Sequence, residues 1–332
     1  MKFRVVFLVI LSAICSFSCE RAERLADGYP TPPPEVTTPT KDLPKLEIRT
    51  DDRLQERIAT IASKAKGNVG VAAVVLETGD GALLNSDQHF PMQSVYKLPI
   101  AMAVLHAVDD EKLALDEQIG ISKDDFVVAN QHSPIRDKNS NGTIMTVRDL
   151  IRSSISESDG TASDVLMRLA GGPAAVQKYV EAIGLRDIVI ANTENEFALD
   201  LQTQYANWIT PVSAVEMLRD LQEGNGISEP NRELLLSFMI GSIPGAKRIK
   251  GSLPNGTVVA HKTGTGGTRN GVTSATNDIG IVTMPNGKHI LIAVFVADSS
   301  ADEKTRESVI AEIARAVWDR WAANTRSAIK EN

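Results

Sequence analysis

The apolar positions change period several times along the chain, and each change marks an element. Between Leu54 and Ala65 they recur at helical spacing, with Asp51 and Asp52 in place to cap the start. Val69–Glu77 is instead a continuous β-rich run, and Gly79-Asp80-Gly81 behind it reads as a turn. After Ser94, the apolar residues Leu98, Ile100, Ala101, Ala103, Val104 and Leu105 are too continuous for an amphipathic surface helix. They predict a helix buried in the middle of the domain. Leu150–Ile155 and Ala162–Leu169 read as two further helices on either side of Ser158. Near the C-terminus, strands are predicted over Gly256–Thr263, Asn277–Met284 and His289–Ala297, the last two joined by Pro285-Asn286-Gly287. Asn-Gly favours a tight hairpin. Glu303–Trp321 then closes the chain as a helix. Strands at both ends with helices between them predict an α/β fold. One antiparallel sheet gathers the N- and C-terminal strands, helices flank it, and a mainly helical subdomain is inserted. A site is expected in the groove between the two.

The N-terminus has a different character. Met1-Lys2-Phe3-Arg4 supplies a positive start, and Val5–Ile14 is an apolar run too short to span a bilayer as a stable anchor. Residues 1–18 therefore read as an export signal. The chain has two cysteines, Cys15 and Cys19, both at the end of this segment. Ser16 and Ser18 precede Cys19 as a lipoprotein cleavage site prefers, so Cys19 is the expected lipidation site, anchoring the protein without spanning the membrane. Residues 19–45 carry the stretch Pro-Thr-Pro-Pro-Pro-Glu-Val-Thr-Thr-Pro-Thr, which buries too little apolar surface to fold and reads as a tether. The catalytic domain is expected over residues 46–325, with no cysteine left for an internal disulfide.

Composition narrows the function. A formal charge of −7 over 332 residues argues against a nucleic-acid partner, which needs a basic field. None of the five histidines sits in ligand spacing with a cysteine or a second histidine, so no metal or other cofactor is expected. The expected state is a monomer acting on a small molecule.

Three short motifs carry the chemistry: Ser94-Val95-Tyr96-Lys97, Ser158-Asp159-Gly160 and Lys262-Thr263-Gly264-Thr265-Gly266-Gly267. On a helix, Ser94 and Lys97 share a face, so a hydroxyl and an amine come together. A serine needs such a neighbour to become a nucleophile. Lys262 and the hydroxyls of Thr263 and Thr265 end a strand where a substrate carboxylate can be held, and Gly264 and its neighbours let substrate backbone approach closely. The N–H groups of Ser94 and Thr265 are candidates for an oxyanion hole, worth about 3 to 4 kcal/mol per donor. Each motif alone has a structural explanation: a helix cap with a surface lysine, a capping Ser-Asp pair, a glycine-rich hairpin end. Their joint order is what points to a serine acyltransferase.

In these motifs the chain resembles the class A serine β-lactamases, which share their fold with penicillin-binding transpeptidases. The likeness spans about Asp51 to Trp321. It implies an acyl-enzyme on Ser94, with Lys97 assisting acylation, Ser158 passing a proton to the leaving nitrogen, and Lys262 and Thr263 holding the β-lactam carboxylate. It also implies that Ala191-Asn192-Thr193-Glu194-Asn195-Glu196-Phe197 carries the deacylating carboxylate, with Glu194 chosen over Glu196. Arg248 matches a position from which some members help bind the carboxylate. Gln93, Ser133-Pro134-Ile135-Arg136-Asp137-Lys138, Asp164 and the segment Thr268–Thr276 look like the extended-spectrum subgroup of Bacteroidetes-type bacteria.

Three departures stand out. Gly160 replaces the family's usual asparagine, Ala198 replaces a polar group that helps hold the hydrolytic water, and Asn192 and Asn207 stand where a charged pair often pins the Glu194 loop. The expectation is a periplasmic lipoprotein that hydrolyses penicillins or cephalosporins. A D-alanyl-D-alanine carboxypeptidase or a slowly deacylating penicillin-binding protein is the alternative.

Overall fold

The computed structural model describes residues 41, 43–44, 46–197 and 202–322. The expected export signal, Cys19, most of the tether, Ala198 and the last residues of the expected domain lie outside the described residues.

Seven strands form the main sheet among the described residues: β1 (Arg49–Thr50), β2 (Asn68–Val75), β3 (Asp80–Leu84), β4 (Val259–Thr265), β5 (Thr268–Arg269), β6 (Val272–Thr283) and β7 (His289–Ser299). Their order is β1-β3-β2-β7-β6, with β4 and β5 both on the outer side of β6. The helices are α1 (Asp52–Ala62), α2 (Lys97–Asp109), α3 (Val147–Ser156), α4 (Gly160–Leu169), α5 (Pro173–Ala182), α6 (Pro211–Glu223), α7 (Glu229–Ile240) and α8 (Glu303–Trp321), with shorter helical turns between them.

Period-2 alternation explains why the sheet sits in the middle. In β2 and β7, Ala72, Val74, Leu291, Ala293 and Phe295 face the helical body, where they meet α2 and the helices around it. The intervening Val71, Ala73, Val75, Ile292, Val294 and Val296 face the opposite way, onto α1 and α8. A strand buried on both faces must be apolar at every position, which is why these runs lack polar residues.

The expected antiparallel sheet is present, with one exception. β1 runs parallel to β3, Arg49 opposite Asp80. Gly79, at φ +74°, makes the turn expected there, but Asp80 and Gly81 already belong to β3. Gly81 is glycine because a Cβ would come within 2.3 Å of Ile48 Cγ2. α1 is capped as expected, the Asp51 carboxylate accepting from Leu54 N at 3.0 Å. It ends at Ala62, before a 3-10 turn over Ser63–Ala65. α2 is buried at every position from Lys97 to His106, as its unbroken apolar run predicts. α8 matches its predicted bounds, and Asp302 caps it by accepting from Thr305 N at 2.7 Å. The segment Thr268–Thr276 is a hairpin that extends β6 toward the N-terminal side, turning at Asn270-Gly271 with φ +51° and +76°. That Asn-Gly was the available signal for it.

The helical body is therefore inserted between β3 and β4. The turn Gln93–Tyr96 that opens its first helix packs on β4 and β6, and the chemistry-bearing residues converge at that seam.

Candidate active site

Ser94 lies in a 3-10 turn, Gln93–Tyr96, that runs directly into α2. Gln93 is held at φ +48°, a costly region for a non-glycine residue. The turn packs tightly on β4: a Cβ at Gly264 would fall 2.4 Å from the Met92 carbonyl and 3.1 Å from Gln93 Cβ. Gly264 thus lets the strand reach the serine turn, a close approach by protein backbone where the sequence suggested substrate.

Lys97 is fully buried at the start of α2. Its Nζ donates to the Ser158 carbonyl at 2.8 Å and lies 3.5 Å from Glu194 Oε2. Among the described residues its polar partners are therefore Ser158 and Glu194, rather than Ser94 itself. Ser158 sits between α3 and α4 at φ +61°, a strained position. The neighbouring bonds hold it there. Its hydroxyl accepts from Lys262 Nζ at 3.0 Å, and its carbonyl accepts from Lys97. Asp159 caps α4 by accepting from Ala162 N at 2.8 Å and binds Ile135 N at 2.7 Å. This ties the Ser158 turn to the Ser133–Lys138 segment. Arg136 in that segment donates to the carbonyls of Val127 and Gln131, both at 3.0 Å, and so fixes the loop that brings Gln131 and His132 to the cleft.

Lys262 is fully buried on β4, and Nζ also donates to the Thr263 carbonyl at 3.0 Å. Burial, and then the proximity of Lys97, hold its ammonium well below the usual lysine range. A lysine that gives up a proton readily, bonded to Ser158 Oγ, makes a short route for proton movement.

Glu194 opens a one-turn helix, Glu194–Phe197, and is 6% exposed. Its Oε2 accepts from the Tyr96 hydroxyl at 2.9 Å besides meeting Lys97. Burial and the Glu194 charge push the Tyr96 phenol well above its ordinary value, so it remains a donor. Glu196 turns away: its carboxylate accepts from Thr193 N at 2.7 Å, capping the helix. Hydrogen bonding thus separates the two carboxylates and leaves Glu194 in the cleft.

Among the described residues, the loop before Glu194 is pinned without an ion pair. Asn207 Oδ1 accepts from Ala191 N at 2.7 Å and Asn192 N at 2.9 Å, while Asn207 Nδ2 donates to the Asn192 carbonyl at 2.9 Å. Asp164, on α4, supplies the second pin. Its carboxylate oxygens accept from Glu194 N at 2.7 Å and Asn195 N at 3.0 Å. Burial pushes its carboxyl up to about 6, against the pull of those two N–H groups.

Ser94, Ser158, Glu194, Thr263 and Thr265 line one cleft of about 540 Å³, together with Gln93, Gln204 and Gly266. Volume alone does not mark it, since depressions of about 550 and 760 Å³ lie elsewhere. Those carry no convergent serine, lysine and glutamate.

Arg248 is buried behind β4. Its guanidinium donates to the carbonyls of Gly264 at 3.2 Å and Asn277 at 2.9 Å, to Thr265 Oγ1 at 2.8 Å, and pairs with Glu307 at 3.2 Å. It reaches the cleft through Thr265.

A family model described as the beta-lactamase enzyme family matches residues 53–321. The chain belongs to that family. Among its curated relatives, beta-lactamase VEB-1 of Pseudomonas aeruginosa is 38% identical over 270 residues, covering 81% of this chain and 90% of that one. The extended-spectrum beta-lactamase PER-1 of Pseudomonas aeruginosa is 39% identical over 266 residues, covering 80% and 86%. The crystal structure of a beta-lactamase from Chitinophaga pinensis superposes with a TM-score of 0.79 at 42% identity, covering 81% of this chain and 99% of that one.

Within the beta-lactamase frame, Gly160 has a local explanation. A Cβ there would lie 3.0 Å from Glu194 Cγ, 3.1 Å from the His132 carbonyl and 3.3 Å from Val127 Cγ2. Glu194 packs where a larger residue would stand. Two roles escaped the sequence: Tyr96 as a donor to Glu194, and Asp164, which the sequence marked only as a subgroup feature, as the anchor of its helix. Tyr96 lay inside the first motif. Asp164 is four residues into α4, and nothing in the sequence pairs it with residues thirty positions away.

Proposed function

We propose that the protein hydrolyses β-lactams through an ester on Ser94. The observation that carries this reading is the contact of Lys97 Nζ with both Glu194 Oε2 and the Ser158 carbonyl, at the floor of a cleft lined by Ser94. In this mechanism the Ser94 hydroxyl loses its proton toward Lys97 and attacks the lactam carbonyl. The N–H groups of Ser94 and Thr265 receive the developing oxyanion. Lys262 relays a proton through Ser158 Oγ to the departing nitrogen. Glu194 then removes a proton from the water that attacks the ester, Lys97 returns its proton to the departing Ser94 oxygen, and the proton left on Glu194 passes back to Lys262. Thr263 and Thr265 hold the substrate carboxylate, with Gly264 shaping the strand and Arg248 acting by orienting the Thr265 hydroxyl. A peptidoglycan carboxypeptidase does not require a buried carboxylate beside the lysine, and the Glu194 geometry favours the hydrolase.

Export by residues 1–18, lipidation at Cys19, a tether over 19–45, a monomeric catalytic domain over 46–325 and a periplasmic location complete the proposal. The sequence pattern of the N-terminus supports the export, the lipidation, the tether and the location. No helix among the described residues is long and apolar enough to cross a membrane.

Stopped-flow hydrolysis of a chromogenic cephalosporin with intact-mass detection tests the mechanism. Sustained turnover, with an adduct that accumulates in Glu194→Gln and is absent in Ser94→Ala, is the expected result. One stoichiometric burst from the unmodified protein, leaving a stable adduct, would overturn the hydrolase reading.

A further inference from the structure

One wall of the cleft is joined by side chains that the catalytic sequence above does not use. Gln204 lies in the 3-10 turn Thr203–Tyr205, on the return limb of the Glu194 loop. Its Oε1 accepts two hydrogen bonds, from Gln93 Nε2 at 2.7 Å and from Ser274 Oγ at 2.8 Å. One amide oxygen therefore fastens three separate segments: the turn that presents Ser94, the limb that follows Glu194, and β6. Ser274 N in turn donates to the Gly267 carbonyl at 3.1 Å, and Gly266 N donates to the Ala275 carbonyl at 2.9 Å, so the clasp is seated at the end of β4. Gly266 leaves room for it, since a Cβ there would fall 2.1 Å from Ser274 Oγ and 3.3 Å from Gln93 Nε2. Flanking bonds steady the limb. Tyr205 donates to Asp298 Oδ1 at 2.6 Å, and Asn192 Nδ2 donates to the Thr203 carbonyl at 3.3 Å.

Gln93, Gln204, Gly266 and Gly267 all border the cleft, so the clasp closes it between the Glu194 loop and the end of β4. We propose that Gln204 is a specificity-determining residue, which limits the bulk of the acyl side chain that the cleft accepts by holding the loop limb against the sheet. The proposal rests on the assignment of Ser94 and Glu194 as acylating and deacylating residues. A substrate with a small side chain fits beneath the clasp, whereas a bulky, branched side chain must displace it and lose hydrogen bonds in doing so.

The test compares benzylpenicillin with a cephalosporin carrying a bulky branched acyl side chain, in the full chain and three variants. In Gln204→Ala, kcat/KM for the bulky substrate relative to benzylpenicillin is expected to rise about fivefold, through KM, the scale of one or two lost hydrogen bonds. Gln204→Glu presents an oxygen to the same two donors and is expected to stay within about twofold of the parent ratio. Ser274→Ala removes one donor and is expected to give a smaller rise, which decides the matter should Gln204→Ala not fold. An unchanged ratio in Gln204→Ala, an equal rise in Gln204→Glu, or an equal fall for both substrates overturns the proposal. Persistent acylation in Ser94→Ala would instead overturn the site assignment on which it rests, a separate outcome read by intact mass.

Discussion

Glu194 and Glu196 stand two positions apart in one helical turn, yet their bonds send them in opposite directions. Glu194 meets Lys97 and Tyr96, while Glu196 is spent on Thr193 N. Glu194→Gln should therefore leave acylation largely intact and slow deacylation by at least a hundredfold, roughly the scale of lost general-base catalysis. Glu196→Gln should leave deacylation within about threefold of the parent, because a glutamine oxygen still accepts from Thr193 N. Single-turnover mass spectrometry separates the two, and matching adduct lifetimes would reverse the assignment. Gly160 belongs to the same argument. Adding a methyl group in Gly160→Ala crowds Glu194 Cγ at 3.0 Å and the fixed His132 carbonyl at 3.1 Å. Glu194 must yield, and deacylation should slow about tenfold with acylation little changed, as read from the same adduct lifetimes. Faster deacylation in this variant would show that the glycine is not there to accommodate Glu194.

At the scale of elements, the site is a matter of how loops are tied to helices and strands. Asp164 reaches from α4 to the first two N–H groups of the Glu194 helix, favourable both as a cap and for the helix dipole. Each carboxylate oxygen accepts one of those bonds, so protonation of either oxygen replaces an acceptor with a donor. With its carboxyl pushed up to about 6, Asp164 gains a proton as pH falls through that value, and the anchor weakens on the acid side. The deacylation rate should carry an acid limb near pH 6, and Asp164→Asn should flatten that limb while lowering the plateau about tenfold. A limb unchanged in the variant would assign the titration to another group. Arg248 works similarly from behind β4. Arg248→Ala removes the donor to Thr265 Oγ1, so KM for carboxylate-bearing substrates should rise more than kcat falls. A pure loss of kcat would remove it from substrate positioning.

Over the whole molecule, the buried polar groups make stability depend on pH in a definite direction. Asp220, near the end of α6, is almost fully buried, accepts from Asn225 Nδ2 at 3.1 Å, and is pushed up to about 7 by that burial. Its folded value lies above its unfolded one, so the fold prefers the neutral form. The folded state therefore loses stability as pH rises from about 4 to about 7, and the whole penalty is present above that window. Asp220→Asn should raise stability relative to the parent by at least about 1 kcal/mol more at pH 8 than at pH 4.5. Chemical denaturation of both proteins at the two pH values measures it, and a difference independent of pH would place the carboxylate's cost elsewhere.

Much of this architecture was legible one residue at a time. Continuous apolar runs at β2 and β7, the unbroken core of α2 and the capped span of α8 follow from burial on one face or two, and burial writes itself into local pattern. Ser94, Lys97, Ser158 and Lys262 were recognisable because motif order survives folding. The short β1 and β3, the parallel pairing at their edge and the tight fit of Gly81 against Ile48 were not, since such pairings carry almost no local periodicity. The same holds for the groups that tune the site. Asp164 lies thirty positions from Glu194, and Gln204 lies 111 positions from Gln93 and 70 from Ser274. Hydrogen bonds between residues so far apart depend on where whole elements stop and how closely they pack. The sequence by itself determined which side chains were available for the chemistry. Tertiary structure alone decided which carboxylate faces the lysine, what restrains its loop, and how wide the cleft stands, because those depend on distances that no local pattern encodes.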